Sequence, residues 1–212
     1  MTDAFPDPLA HARDFYLERL REAFHHTARF AGQTQRTADQ IVDTPEFDAI
    51  LREGKPGSLD AARRIGEMAV VHLDRAPSAP APWWRDLCLY ERGWFLQTAT
   101  TDAGTATNRP RRGVSALSTV FTWNMPKLLE ALQTGTPATD ALKRQTTLLF
   151  SRGAEGKIYV VEIGGNIEKV FRFTNGMRTI PQIAEAAGVS EAEARKTLEA
   201  LAKIGAVALS AY

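Results

Sequence analysis

The 212-residue sequence has little cysteine and no long apolar run. Its one cysteine, Cys88, cannot form an internal disulfide or a cysteine-rich metal site, which favours a reducing compartment. No apolar stretch approaches the roughly 20 residues that span a bilayer. The first residues show no basic stretch followed by an apolar core, so we expect no signal peptide. These features predict a cytoplasmic protein that makes no contact with a membrane.

An excess of charge of one sign is also missing. The chain carries 26 Lys and Arg against 25 Asp and Glu, a net charge of +1. Proteins that bind nucleic acids usually present a strongly basic surface, so this balance makes nucleic acid an unlikely partner without excluding a local basic patch. Hydrophobic residues make up 44% of the chain, which is enough to bury a core in one large domain or two small ones.

Motifs of nucleotide-binding loops and of serine nucleophiles are absent. His25 and His26 are consecutive, and we expect them to point to different faces of a helix, unlike a metal-binding pair four residues apart. Cys88 lies on the apolar face of a predicted helix and is more typical of a core residue than of a nucleophile. We therefore expect no catalytic residue, metal ligand or cofactor in this chain. An enzyme that uses Cys88 or a His/Glu pair is a weaker alternative.

The N-terminal half is predicted to be helical. Apolar residues recur at spacings of three and four over residues 8–30, 44–52, 58–75 and 83–98. The stretch from Ala76 to Pro82 contains three prolines and predicts a loop or extended connector. The polar stretch from Thr100 to Gly113 is the best candidate for a domain boundary. We accordingly predict a helical domain over residues 1–105 and a second domain over residues 106–212.

The second domain begins with β-type sequence. Residues 114–121, 146–151 and 158–163 are rich in β-branched side chains, and Met125 to Leu132 predicts a short helix. Ile167 to Phe173 alternates, and Gly164-Gly165-Asn166 precedes it. This combination predicts a tight turn and a final hairpin strand.

The C-terminal residues have the pattern of a helix-turn-helix. Thr179 and Ser190 are placed to cap two helices, with Gly188 between them as the tight turn. Together with the flanking strands, the pattern predicts a winged helix-turn-helix with a small antiparallel sheet. The predicted fold class is therefore α+β, with an all-helical first domain.

The second helix of this module is charge-balanced. It contains three acids and three bases, and two of the acids fall in the first turn, where a DNA-reading helix would meet phosphate and bases. A peptide or protein ligand is favoured for this reason, and a winged-helix DNA-binding transcriptional regulator is the alternative. The six residues are Glu191, Glu193, Arg195, Lys196, Glu199 and Lys203.

Three segments in this order resemble a known family. They are PWWRDLCLYERGWF, RPRRGVSALSTVFTWNMPKLLEAL and RQTTLLFSRGAEGKIYVVEIGGNIEKVFRFTNGMRTIPQIAEAAGVS. The chain resembles the partner proteins of multinuclear non-heme iron-dependent oxidative enzymes, which modify ribosomally made peptides. Its FTNGMRTIPQIAEAAGV portion is similar to the precursor-recognition element of the pyrroloquinoline quinone chaperone type, a winged-helix variant.

The resemblance implies a non-catalytic subunit that forms a heterodimer with an iron oxidase and presents a precursor peptide to it. The iron would belong to the partner enzyme. A leader peptide would add as a strand beside Ile167–Phe173 and lie against the last helix. The implied peptide-binding residues are Ile167, Lys169, Phe171, Phe173, Arg195, Lys196 and Glu199. The partner-interface candidates are Trp83, Trp84, Trp123, Arg111 and Arg112, although tryptophans at such positions can equally be core residues.

Overall fold

A computed structural model describes residues 8–30, 36–75, 81–102 and 109–209. The chain divides into two compact units, Met1–Asp102 and Ala103–Tyr212. The first unit is helical and the second combines helices with antiparallel strands, which confirms the predicted α+β class. The predicted boundary between residues 105 and 106, and residues 76–80 of the proline-rich connector, lie outside the described residues.

Side-chain caps and apolar spacing explain the helices of the first unit. Thr44 and Ser58 accept hydrogen bonds of 3.3 Å from the backbone N–H groups of Phe47 and Ala61, so two predicted helices begin where expected. The helix predicted over residues 8–30 is divided at Phe24. The helices are α1 Pro8–Ala23, α2 His25–Phe30, α3 Arg36–Val42, α4 Pro45–Glu53, α5 Leu59–Asp74 and α6 Trp84–Ala99.

The core of the first unit lies between α1, α4, α5 and α6. The ring of Tyr16 is fully buried, and its centroid lies 6.3 Å from that of Phe47 and 6.4 Å from that of Phe95. The Tyr16 hydroxyl accepts a 2.8 Å hydrogen bond from the backbone N–H of Gly57, so the polar end of this ring is satisfied inside the core.

The second unit contains two small antiparallel sheets. In the larger sheet the order is β2-β3-β4, and Thr147 of β3 lies opposite both Val120 of β2 and Ile163 of β4. In the smaller sheet β1 pairs with β5. The elements are β1 Arg111–Arg112, β2 Leu117–Trp123, α7 Met125–Thr134, a 3-10 helix Asp140–Leu142, β3 Lys143–Arg152, β4 Ile158–Ile163, α8 Gly165–Phe173, α9 Ile180–Ala187, α10 Glu191–Lys203 and β5 Val207–Ala208.

The prediction that Ile167–Phe173 forms a hairpin strand is wrong, because this segment is helix α8. Ile167, Val170, Phe171 and Thr174 have the spacing of one helix face, and the last three are buried. The apparent alternation required Lys169 on the apolar face of a strand. Burial of the helical face therefore favours a helix here, although the sequence pattern alternates as in a strand.

The predicted helix-turn-helix is present as α9 and α10. The backbone N–H of Thr179 donates a 3.0 Å hydrogen bond to Gln182 Oε1, and Ser190 Oγ accepts a 3.2 Å bond from the N–H of Glu193. Gly188 ends α9 with a φ of 68° and allows the short turn. The helices pack on one face of the larger sheet around Leu149, Ile163 and a set of buried helical residues: Val170, Phe171, Ile180, Ile183, Ala184, Ala187, Ala194, Leu198 and Leu201.

Among the described residues, no helix is both long and apolar enough to cross a membrane.

Candidate functional site

Strand β4 forms one edge of the larger sheet. A short turn closes the hairpin to β3, with the N–H of Gly153 donating a 2.9 Å hydrogen bond to the carbonyl of Lys157. In antiparallel pairs, hydrogen-bonded and non-hydrogen-bonded positions alternate from such a closing pair. Ile158, Val160 and Glu162 therefore direct their backbone N–H and C=O groups away from β3. Within the described part of the chain, no strand pairs with this outer side of β4.

The composition of β4 is unusual for an exposed edge. Five of the six residues in IYVVEI are apolar or aromatic, and Ile158 to Val161 are each only partly buried. Edge strands are normally shortened, charged or interrupted by proline, because an apolar edge pairs with other chains. Glu162 is the only charged residue of β4, and Arg144 of the neighbouring strand binds it through hydrogen bonds of 2.9 and 3.0 Å.

Two hydrogen bonds connect the two ends of α10 to opposite ends of the β3–β4 hairpin. Asn166, just after β4, donates through its side chain to Glu193 Oε1 in the first turn of α10 at 2.8 Å. Ser151 Oγ, opposite the start of β4 at Tyr159, donates to the carbonyl of Ile204 at the end of α10 at 2.9 Å. The helix and the edge strand thus run in opposite directions along the same stretch of sheet.

Glu193 and Ile204, the two α10 residues in these hydrogen bonds, lie on the same side of the helix. Glu193, Thr197, Ala200 and Ile204 lie at intervals of three and four and share one flank. Thr197 and Ile204 are partly buried, and Glu193 and Ala200 are exposed. We call the surface region between this flank and the outer edge of β4 the β4–α10 groove. Sequence reasoning missed Thr197 and Ala200 because their place depends on the contact between Asn166 and Glu193.

The residues predicted on α10 lie elsewhere on that helix. Arg195 and Glu199 occupy the opposite flank, and Arg195 forms a 3.1 Å ion pair with Glu191. Lys196 projects outward from the packed face, and all three side chains are exposed.

The residues predicted on an edge strand are divided by helix α8. Ile167 is 43% exposed and lies beside Asn166 at the end of the β4–α10 groove, while Lys169 is exposed on the outer face of α8. Phe171 is 1% exposed and belongs to the core. Phe173 is partly buried and packs at the margin of that core. The peptide strand implied by the resemblance therefore cannot pair with these residues, and β4 is the edge available on this side of the sheet.

The partner-interface candidates are mostly internal. Trp83, Trp84 and Trp123 are 8%, 2% and 2% exposed. Trp84 Nε1 donates a 3.1 Å hydrogen bond to the Leu73 carbonyl, as a core indole requires. The structure thus places these three tryptophans in the core rather than on a surface.

The two arginine candidates lie in β1. Arg112 donates hydrogen bonds of 3.3 and 2.8 Å to the carbonyls of Phe171 and Arg172, so it caps the C-terminal end of α8. Desolvation of its guanidinium group lowers the pKa of Arg112. Arg111 forms an isolated β-bridge with Asn175.

The side chains of Cys88, His25 and His26 carry groups that could support chemistry. Cys88 is fully buried, and burial raises the pKa of its thiol far above the ordinary value. The rings of His25 and His26 lie 3.9 Å apart, so the expectation that they point in different directions is wrong. The break at Phe24 and a 2.9 Å contact between His25 Nδ1 and the Glu22 carbonyl explain this placement. Among the described residues, no group of three or more His, Cys, Asp and Glu side chains could hold a metal ion.

Glu91 is a buried acid with a structural role. Its carboxylate accepts hydrogen bonds from the backbone N–H groups of His26 at 2.6 Å and Thr27 at 3.1 Å, at the start of α2. Burial raises the pKa of Glu91 to about 8 against the opposing effect of these donors. The side chain is 1% exposed, so it is unavailable to a substrate from solution.

Comparison with known protein families finds no match for the chain, and comparison with curated proteins finds no relative.

Proposed function

We propose that this chain is a non-catalytic subunit that binds a precursor peptide through the β4–α10 groove and docks on an iron-dependent oxidase that modifies the peptide. The observation that carries the peptide-binding part is the unpaired, largely apolar edge of β4 alongside α10. An extended peptide would add to β4 as a fourth strand, with main-chain hydrogen bonds supplying affinity.

Side-chain selection follows from the same geometry. Tyr159 and Val161 lie opposite Ser151 and Leu149 on the face of the sheet that packs on the helices. Alternate side chains of an added strand would point toward this face and the Thr197 and Ala200 flank of α10. Small side chains on that flank leave room for apolar peptide residues. We therefore expect selection for an extended segment with alternating apolar residues.

The oxidase part of the proposal rests on the family resemblance of the sequence. The proposal assigns no cofactor to this chain and assigns the iron to the partner enzyme. A barrel-type oxidase and a short precursor peptide should then be encoded beside the gene for this chain.

A DNA-reading role is less well supported by α10. Its first turn carries Glu191 and Glu193, which would face phosphate in a helix-turn-helix complex. Glu193 and Asn166 are also engaged with each other, and Glu191 with Arg195. The exposed face of α10 therefore combines acids and bases without a basic stripe.

Two experiments test the proposal. A fluorescent copy of the peptide encoded beside the gene should bind the purified chain, and the Val160→Pro variant should lose that binding because it removes an outward N–H of β4. Co-expression with the neighbouring oxidase should give a complex on size-exclusion chromatography. If the chain binds random duplex DNA with steep salt dependence and ignores the peptide, the transcription-regulator alternative replaces this proposal.

A further inference from the structure

Five arginines converge at one corner of the second unit. Arg109, Arg111 and Arg112 come from β1 and the residues before it, Arg172 from the last turn of α8, and Arg178 from the segment before α9. We call this set the arginine corner. Arg109, Arg112 and Arg172 are exposed, and Arg111 and Arg178 are partly buried. Arg109, Arg111 and Arg112 lie within four consecutive residues, but Arg172 and Arg178 are some 60 positions later, so the fold creates the cluster.

Specific contacts hold these segments together. Arg112 Nη2 donates to the Arg172 carbonyl at 2.8 Å, and Gly176 N–H donates to the Pro110 carbonyl at 3.0 Å. Arg109 also donates to the carbonyl of Met177. The segments that carry the arginines are thus fixed to one another by backbone acceptors, which leaves the position of the corner independent of any ligand.

Two of the guanidinium groups lie near the ring of Phe173. The Cζ atoms of Arg172 and Arg178 lie 5.7 and 5.4 Å from the Phe173 ring centroid. Stacking on an aromatic ring orients a guanidinium while leaving its N–H donors available for a carboxylate. Among the described residues, no ion pair involves Arg112, Arg172 or Arg178.

A surface depression of about 550 Å³ adjoins the corner. Arg178 belongs to both, and the depression contains Met177, which is 71% exposed, although most large apolar side chains of this unit are buried. The remaining lining residues are Asn175, Gln182, Glu185 and Ala186.

We infer that the arginine corner is a docking surface for an acidic segment of another polypeptide, with one apolar side chain of that segment entering the depression beside Met177. Positive charge complements the carboxylates, and Met177 and Ala186 suit an apolar side chain. Glu185 in the wall lies where the apolar side chain would enter, whereas a phosphate backbone, whose charge is continuous, would place negative charge against it. This inference does not depend on the β4–α10 groove, because it uses different residues.

The test uses a fluorescein-labelled synthetic peptide of alternating Glu and Asp with one central Leu. Its two comparison peptides replace the acids by Gln and Asn, or the Leu by Ser. Fluorescence anisotropy should show salt-sensitive binding of the acidic Leu peptide and no binding of the neutral peptide. The Ser peptide should bind at least about three times more weakly than the Leu peptide. Met177→Ser should abolish this difference between the two peptides.

Charge variants localise the binding. R172Q/R178Q should weaken binding of the acidic peptide about fivefold or more. The control R195Q/K196Q removes the same amount of charge from α10 and should bind the peptide as the native chain does. Arg112 is left intact because it caps α8. Circular dichroism confirms folding of each variant, and Arg178→Gln alone provides a milder change in the same direction.

The inference is overturned if R172Q/R178Q and R195Q/K196Q behave alike, or if the neutral peptide binds equally well. It is also overturned if random duplex DNA binds more tightly than the acidic peptide through the same arginines, which would assign the corner to nucleic acid. Loss of precursor binding in Val160→Pro bears only on the groove, so failures of the two proposals are distinguishable.

Discussion

The side-chain amide of Asn166 donates a 2.8 Å hydrogen bond to the carboxylate of Glu193. Asn166 follows edge strand β4 and Glu193 lies in the first turn of α10, so this contact fixes the last helix at one end of the strand. The bond from Ser151 to Ile204 fixes the other end. These two bonds therefore fix the position of α10 relative to the β3–β4 hairpin.

Proline substitutions distinguish the two edges of the sheet. Val160 and Val120 occupy the middle of β4 and β2, and the pairing pattern directs both backbone N–H groups outward. Proline is tolerated at such edge positions, because no ladder hydrogen bond is lost. Val160→Pro should reduce precursor-peptide binding at least about tenfold, and Val120→Pro should leave it unchanged. Anisotropy titration measures both. Equal losses in the two variants would show that binding does not use β4.

Filling the groove from the helix side gives an independent prediction. Ala200 and Ala192 are both exposed on α10, but only Ala200 lies on the flank with Glu193 and Thr197. Ala200→Arg should obstruct an added strand and weaken peptide binding about tenfold or more. Ala192→Arg, an identical change that points away from the groove, serves as the control in isothermal titration calorimetry. The groove assignment fails if the control variant shows the larger loss.

Gly205 should be far less tolerant of substitution than Gly135. Both have a φ of 72°, so alanine costs roughly 1–2 kcal/mol at either position through backbone strain. At Gly205 a Cβ atom would also lie 2.1 Å from the Arg152 carbonyl oxygen, whereas none of the described atoms approaches a Cβ at Gly135 within 4 Å.

Gly205→Ala should consequently destabilise the second unit by about 3 kcal/mol or more, and Gly135→Ala by about 1 kcal/mol. Urea unfolding of the two variants, followed by circular dichroism, provides the comparison. Similar unfolding midpoints would contradict the close approach of Gly205 to Arg152.

Glu91 should make the stability of the first unit depend on pH. Its pKa is about 8 in the folded chain, against 4.5 as the ordinary value. Between these values the folded state holds a proton that the unfolded state has released, so stability falls as pH rises, by up to about 1.4 kcal/mol per pH unit. The pKa of His26 is lowered from 6.5 to about 4, which makes stability rise with pH, but only below pH 6.5.

The measurement is urea unfolding of a Trp123→Phe background between pH 6.5 and pH 8, followed by the fluorescence of Trp83, Trp84 and Trp94 in the first unit. Glu91→Gln cannot ionise and should lose this pH dependence, while Glu22→Gln, an exposed change on α1, should retain it. A slope that persists unchanged in Glu91→Gln would show that another group is responsible.

Most of the helices could be predicted because local signals agree with burial. Thr44, Ser58 and Ser190 cap helices where their side chains can satisfy a first-turn N–H group, and Gly135 and Gly188 end helices in the left-handed conformation. Helix α3 was missed because it is short, although Ala38, Ile41 and Val42 give it a buried face.

The candidate site could be predicted only in part. The sequence of Gly164-Gly165-Asn166 and the following residues fits a hairpin, but burial of Val170 and Phe171 against α9 and α10 favours a helix. Because residues 167–173 form a helix, β4 is the edge strand, and the groove residues on α10 are Thr197 and Ala200. The arginine corner also depends on long-range packing, because Arg172 and Arg178 are far in sequence from Arg112.

The central claim is that a precursor peptide pairs with the outer edge of β4. Hydrogen–deuterium exchange with and without the peptide encoded beside the gene tests it most directly, because strand addition protects outward backbone amides. The account predicts new protection at Ile158, Val160 and Glu162, with little change at Val120 of β2. Protection confined to β2 or to the exposed face of α10, with none in β4, would contradict it.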